Sequence, residues 1–173
     1  MPAMAFTRTG LPSPAAAVGA GLAPASRRRL GGPGLRTFLA IAGQWELTEG
    51  QRLLLLGSPA RPTYHVWARA ARSGGDPALS VDTLTRVSAV LGIHAALQAL
   101  FTEGQDRAAW LRGPHDAAAF NGQAPLDLAT GGTMDGLLSV RRFLDAACTG
   151  SCMEPNEVDR GFTPYTASDL VWT

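Results

Sequence analysis

The chain contains no lysine; all 15 of its basic residues are arginine. Cysteine is nearly absent too, and Cys148 and Cys152 are too few for a disulfide framework or a four-ligand zinc site. Three scattered histidines, His65, His94 and His115, leave little for a metal centre and disfavour histidine-based catalysis. No apolar run approaches the roughly 18–20 residues that a membrane-spanning helix needs, so a soluble, cytoplasmic chain without membrane partners is expected. With 46% hydrophobic and 17% charged residues, wholesale disorder is disfavoured as well. The 173 residues suffice for one domain, or a small domain with an appendage.

Charge is unevenly spread. Residues 1–75 hold nine Arg against Glu46 and Glu49, a net of +7, whereas residues 76–173 hold six Arg against twelve acids, a net of −6. Such a split suits one half facing a polyanion and the other facing a different partner. A solvated Arg-rich tail beside an ordinary acidic domain is the plainer alternative.

Residues 1–34 are rich in Ala, Gly, Pro and Ser and lack periodicity, the composition of a flexible tail. Its cluster Arg27-Arg28-Arg29 follows the small residues instead of preceding an apolar core, unlike a secretory signal. From Arg36 the texture becomes helical, with Phe38, Ile41, Ala42 and Trp45 at i, i+3, i+4 and i+7. Thr48 and Gln51 form a capping-box pattern ahead of Leu53-Leu54-Leu55-Leu56, with Gly57 past the C-terminus. Pro62 then opens a third helix that runs to about Arg72 and stops before Gly74-Gly75. At 100° per residue, Thr63, Val66, Trp67 and Ala70 gather on an apolar side. His65, Arg69 and Arg72 form a basic stripe opposite. Helix, tight turn and basic helix are the parts of a helix-turn-helix (residues 35–75), whose second helix enters the major groove. Arg61, Arg69 and Arg72 would grip phosphates, with Thr63 and His65 nearer the base edges. The alternative is a surface helix that shows its basic residues only to solvent.

The second half, residues 76–149, reads as helices throughout, so the fold expected is all-α. Ser80 caps a helix with Leu84, Val87, Ser88 and Leu91 on one face, ended by Gly92. Ile93, Leu97, Leu100 and Phe101 make the next stripe, and a short helix from Ala108 to Arg112 carries Trp110 and Leu111 and stops at Gly113-Pro114. One turn follows at Pro125-Leu126-Asp127-Leu128, and a last helix from about Asp135 to Ala147 points Leu137, Val140 and Leu144 inward. Trp67 and Trp110 are core candidates. Residues 150–173 form a C-terminal tail with Phe162, Tyr165 and Trp172, suited to docking in a groove of a partner or of the chain itself. Arg141 and Arg142 face either a partner or solvent, with Arg141 and Asp145 at i, i+4 spacing.

The ordered set Leu53-Leu54-Leu55-Leu56-Gly57, Thr63-Tyr64 with Trp67, Leu79-Ser80-Val81-Asp82-Thr83-Leu84 and Leu91-Gly92-Ile93 is distinctive. It continues with Trp110-Leu111-Arg112, Phe120-Asn121-Gly122-Gln123-Ala124-Pro125-Leu126-Asp127-Leu128 and Val140-Arg141-Arg142-Phe143-Leu144-Asp145. Together, over residues 36–147, they resemble the Xre/MbcA/ParS antitoxins. The resemblance implies an all-helical protein, an Xre-like helix-turn-helix followed by a toxin-binding domain. It also implies a homodimer that binds the operator DNA of its own operon and neutralises a RES-domain toxin that consumes NAD⁺. No catalysis, cofactor, metal or small-molecule substrate is expected of the antitoxin itself. The toxin-binding candidates are Arg141, Arg142, Phe162, Tyr165 and Trp172, and those on DNA are Arg61, Thr63, His65, Arg69 and Arg72. A stand-alone helix-turn-helix regulator without a toxin is the alternative.

Overall fold

A computed structural model describes residues 24–150; residues 1–23 and the C-terminal tail from residue 151, with Phe162, Tyr165 and Trp172, lie outside the described residues. Seven helices and no strand are present among the described residues: α1 (Pro24–Gln44), α2 (Glu49–Leu55), α3 (Arg61–Arg72), α4 (Val81–Leu100), α5 (Gly104–Arg112), α6 (Pro125–Ala129) and α7 (Met134–Cys148). The all-α expectation holds.

Local signals act where the sequence places them. The Thr48 amide donates to Gln51 Oε1 at 3.0 Å while the Gln51 amide donates to Thr48 Oγ1 at 3.3 Å, a complete capping box. Gly57 follows α2 with φ +86°, a left-handed conformation natural to glycine. Ser80 accepts from the Thr83 amide at 3.0 Å and Thr133 from the Gly136 amide at 3.1 Å, starting α4 and α7. Leu137, Val140 and Leu144 point inward as expected.

Three expectations are corrected. First, the flexible tail does not extend to residue 34, because α1 begins at Pro24. Its glycines serve close approach: a Cβ at Gly31 would collide with the Pro77 carbonyl and one at Gly32 with the Asp76 carboxylate. Second, Gly92 does not end a helix, and α4 runs 20 residues through it. The Arg141 guanidinium lies over Gly92 in the space a Cβ would occupy, so the glycine marks a helix contact. Third, the buried face of α4 is turned: Thr83, Arg86, Val87, Val90, Ile93 and Leu97 are buried, while Leu84 and Leu91 are half-buried and Ser88 is exposed.

The central α4 packs against α1, α2 and α7, so one cluster of buried side chains runs from Leu35 and Phe38 on α1 to Leu137 and Leu144 on α7. Arg86 is buried within it. Its Nε donates to Asp82 Oδ2 at 2.9 Å and Nη1 to the Gly132 carbonyl at 3.4 Å, beneath Gly57. One side chain thus ties the end of α2, α4 and the loop before α7. Trp110 packs with Phe120 and Phe143, the latter pair edge-on at 4.8 Å between centroids, in the core role expected of it.

Candidate binding surfaces

The first surface is the outer side of α3. Tyr64, Ala68 and Ala71 are buried against the body, with Trp67 packed beside them. The apolar side drawn from the helical wheel is therefore rotated: Thr63 and Val66 are exposed, and Val66 is 64% exposed. The reason is tertiary. The packing of α1 covers the Tyr64–Ala68–Ala71 side, and Tyr64 buries its ring there although its hydroxyl makes it look like an outer residue.

All five DNA candidates, Arg61, Thr63, His65, Arg69 and Arg72, are exposed. The structure brings His65, Arg69 and Arg72 together with Ser73 around a shallow depression of about 460 Å³. Arg69 and Arg72 enter no ion pair among the described residues, so their charge is undiminished. Arg61 stands apart, 3.7 Å from Glu49, whose carboxylate is also 3.8 Å from His65. Such loose, solvated pairs contribute at most about 1 kcal/mol and yield readily to a stronger anion. The sequence reading missed Glu49 as their neighbour. It also missed Arg36, which reaches from α1 to donate to the Ala71 carbonyl at 3.3 Å and braces the C-terminal end of α3; no short-range pattern connects residues 35 positions apart.

The second surface lies on the acidic half. Arg141 Nε binds both oxygens of Asp145, at 2.8 and 2.7 Å, and its guanidinium rests on Gly92. Of the two alternatives for Arg141, the i, i+4 pair is formed. Arg142 is exposed and only loosely approached by Asp135 at 3.7 Å, so the two neighbouring arginines differ in availability.

A separate cleft of about 440 Å³ is lined by Trp45, Glu46, His94, Arg107, Leu111 and Arg112, among others. Arg112 donates to the Trp45 carbonyl at 2.7 Å, joining α5 to the turn after α1. Burial, and secondarily the charge of Arg107, hold the His94 pKa below its usual 6.5. The described residues include no His, Cys, Asp and Glu cluster able to hold a metal ion, and none of their helices is long and apolar enough to cross a membrane.

Comparison with known proteins places the second surface in a family. Residues 96–148, from the end of α4 through α7, match the family model described as the antitoxin Xre/MbcA/ParS C-terminal toxin-binding domain. The chain is also similar to the uncharacterized protein y4oB of Sinorhizobium fredii (strain NBRC 101917 / NGR234), 38% identical over 112 residues, which cover 65% of this chain and 81% of that protein. No solved structure matches it. The helices that carry Trp110 and Arg141, with Phe120 in the turn between α5 and α6, are thus those of a toxin-binding domain, and through that domain the chain belongs to the Xre/MbcA/ParS antitoxin family.

Proposed function

We propose that this antitoxin neutralises a RES-type, NAD⁺-degrading toxin by direct contact that occludes the toxin's active site, and that it represses its own operon by binding DNA as a homodimer in the cytoplasm. The observation that carries the reading is the toxin-binding domain at residues 96–148. Its acidic half offers Arg142, with Arg141 beside it, and the tail adds Phe162, Tyr165 and Trp172 as aromatic anchors for a partner's groove. The protein acts by binding and carries out no catalysis of its own.

On the DNA side, α2, the turn and α3 serve as the helix-turn-helix, within the 35–75 unit, and 76–149 is the toxin-binding unit. Support comes from the exposed Arg69 and Arg72 on the outer side of α3, without an ion pair among the described residues, and from the +7 charge of residues 1–75. Arg61, Arg69 and Arg72 reach phosphates, with Thr63 and His65 nearer the bases.

Co-expression with the protein encoded next to this gene, followed by co-purification and an NAD⁺ assay, tests the toxin side. A stable complex that spares NAD⁺, with depletion when the antitoxin is omitted, is expected. Absence of both complex and NAD⁺ effect would leave a stand-alone DNA-binding regulator. Ending the chain after Gly150 should weaken neutralisation; unaltered neutralisation would remove the tail from the interface.

A further inference from the structure

Val66 occupies a position that neither folding nor solubility explains. It is 64% exposed, more than Leu30, Leu54, Val81 or Leu100, the other large apolar side chains that reach the surface of the described residues. At 100° per residue it stands about 140–160° from Tyr64, Ala68 and Ala71, so it crowns the helix directly opposite the buried face. Helix propensity does not favour it either, since a β-branched side chain in an exposed helix interior is inferior to Ala, Arg or Glu. Pro62 and Ala70 lie about 40° to either side of it, and Thr63 and Arg69 about 60°. His65 and Arg72 lie about 100–120° away, on one flank.

We propose that Val66 is a specificity-determining residue that reads thymine, its methyl groups packing on the C5-methyl of a thymine in the major groove. The proposal rests on the DNA-binding reading above. An aliphatic side chain at the crest of a groove-bound helix can contact only one base feature favourably. The thymine methyl is the apolar group displayed there, and it is absent from the other three bases. Arg69 beside it and Arg72 on the flank supply guanidinium groups for the phosphate backbone, which fixes the helix in register while Val66 meets the base edge. The wheel drawn from sequence alone turns Val66 inward and removes it from the interface; its exposure restores it.

The test uses the full chain and a duplex amplified from the region upstream of its own gene, prepared once with thymidine and once with deoxyuridine, which lacks only the methyl. Burial of one methyl-sized group corresponds to about 0.8 kcal/mol, so the thymidine duplex should bind about fourfold more tightly for each methyl contacted. Val66→Ala, which shortens an exposed side chain and raises helix propensity, should weaken binding to the thymidine duplex and bring the two duplexes to equal affinity. Arg69→Gln should weaken both equally. Equal binding of the two duplexes by the unaltered protein, or a preference that survives Val66→Ala, overturns the assignment while binding that still depends on Arg69 and Arg72 preserves the DNA surface. Failure of the unaltered protein to bind either duplex overturns both. Loss of toxin capture in Val66→Ala with DNA binding unchanged would make Val66 a protein contact and also overturn it.

Discussion

Gly31 and Gly43 sit on the same helix, yet alanine should change stability in opposite directions at the two positions. An alanine in place of an exposed helical glycine raises stability by about 0.5–1 kcal/mol through backbone entropy and helix propensity. At Gly43 nothing lies within 4 Å of the added methyl, so Gly43→Ala should stabilise by about 0.5 kcal/mol, the lower value reflecting its place in the last turn of α1. At Gly31 the methyl meets the Pro77 carbonyl, a backbone atom that cannot rotate away, and Leu79 behind it is buried. Overpacking of this kind costs about 1–3 kcal/mol. Because a backbone carbonyl cannot yield, the upper half of that range applies, about 2–3 kcal/mol, and taking off a propensity gain of about 1 kcal/mol leaves Gly31→Ala destabilised by about 1–2 kcal/mol. Urea unfolding with a common m-value would show it as a lower midpoint, and heating as a melting temperature lowered by roughly 2–8 °C, against a slight rise for Gly43→Ala. Were residues 24–34 a solvated tail, Gly31→Ala would be neutral. Equal or raised stability in Gly31→Ala would refute the packing of α1 on the loop before α4.

Three further outcomes are expected. Arg86→Ala should cost about 2–4 kcal/mol in urea unfolding, because it opens a cavity and strands the Gly132 carbonyl, while Asp82, half exposed, regains water; a loss under 1 kcal/mol would show that the Arg86 tie is dispensable. His94, its folded pKa lowered, binds fewer protons folded than unfolded at mildly acid pH. Its contribution to stability is therefore present above its unfolded pKa of about 6.5 and declines as pH falls through that value; His94→Gln should flatten the curve in that window, and an unchanged curve would exclude His94 as its source. Arg69→Gln and Arg72→Gln should each reduce DNA affinity at low salt, and the slope of log affinity against log salt should fall by about 0.9 for each that contacts a phosphate. Slopes untouched by both would exclude α3 as the DNA surface.

The sequence by itself determined where most helices begin and end. Thr48 with Gln51, Ser80 ahead of Thr83 and Gly57 after the Leu run act on backbone groups no more than a few residues away, so their effect is legible in a short window. The same holds for the inward Leu137, Val140 and Leu144, because α7 is strongly amphipathic, and for the ordered motifs that mark the toxin-binding domain. Only the tertiary structure decided which side of α3 and α4 is covered. Both helices carry apolar residues on more than one side, and the choice belongs to neighbours such as α1 and α7. It decided as well that Gly31, Gly32 and Gly92 are points of close contact within helices, since the atoms that press on them come from Pro77, Asp76 and Arg141, more than forty residues away. The exposure of Val66 is a consequence of that same choice, set by what Tyr64, Ala68 and Ala71 find to bury against.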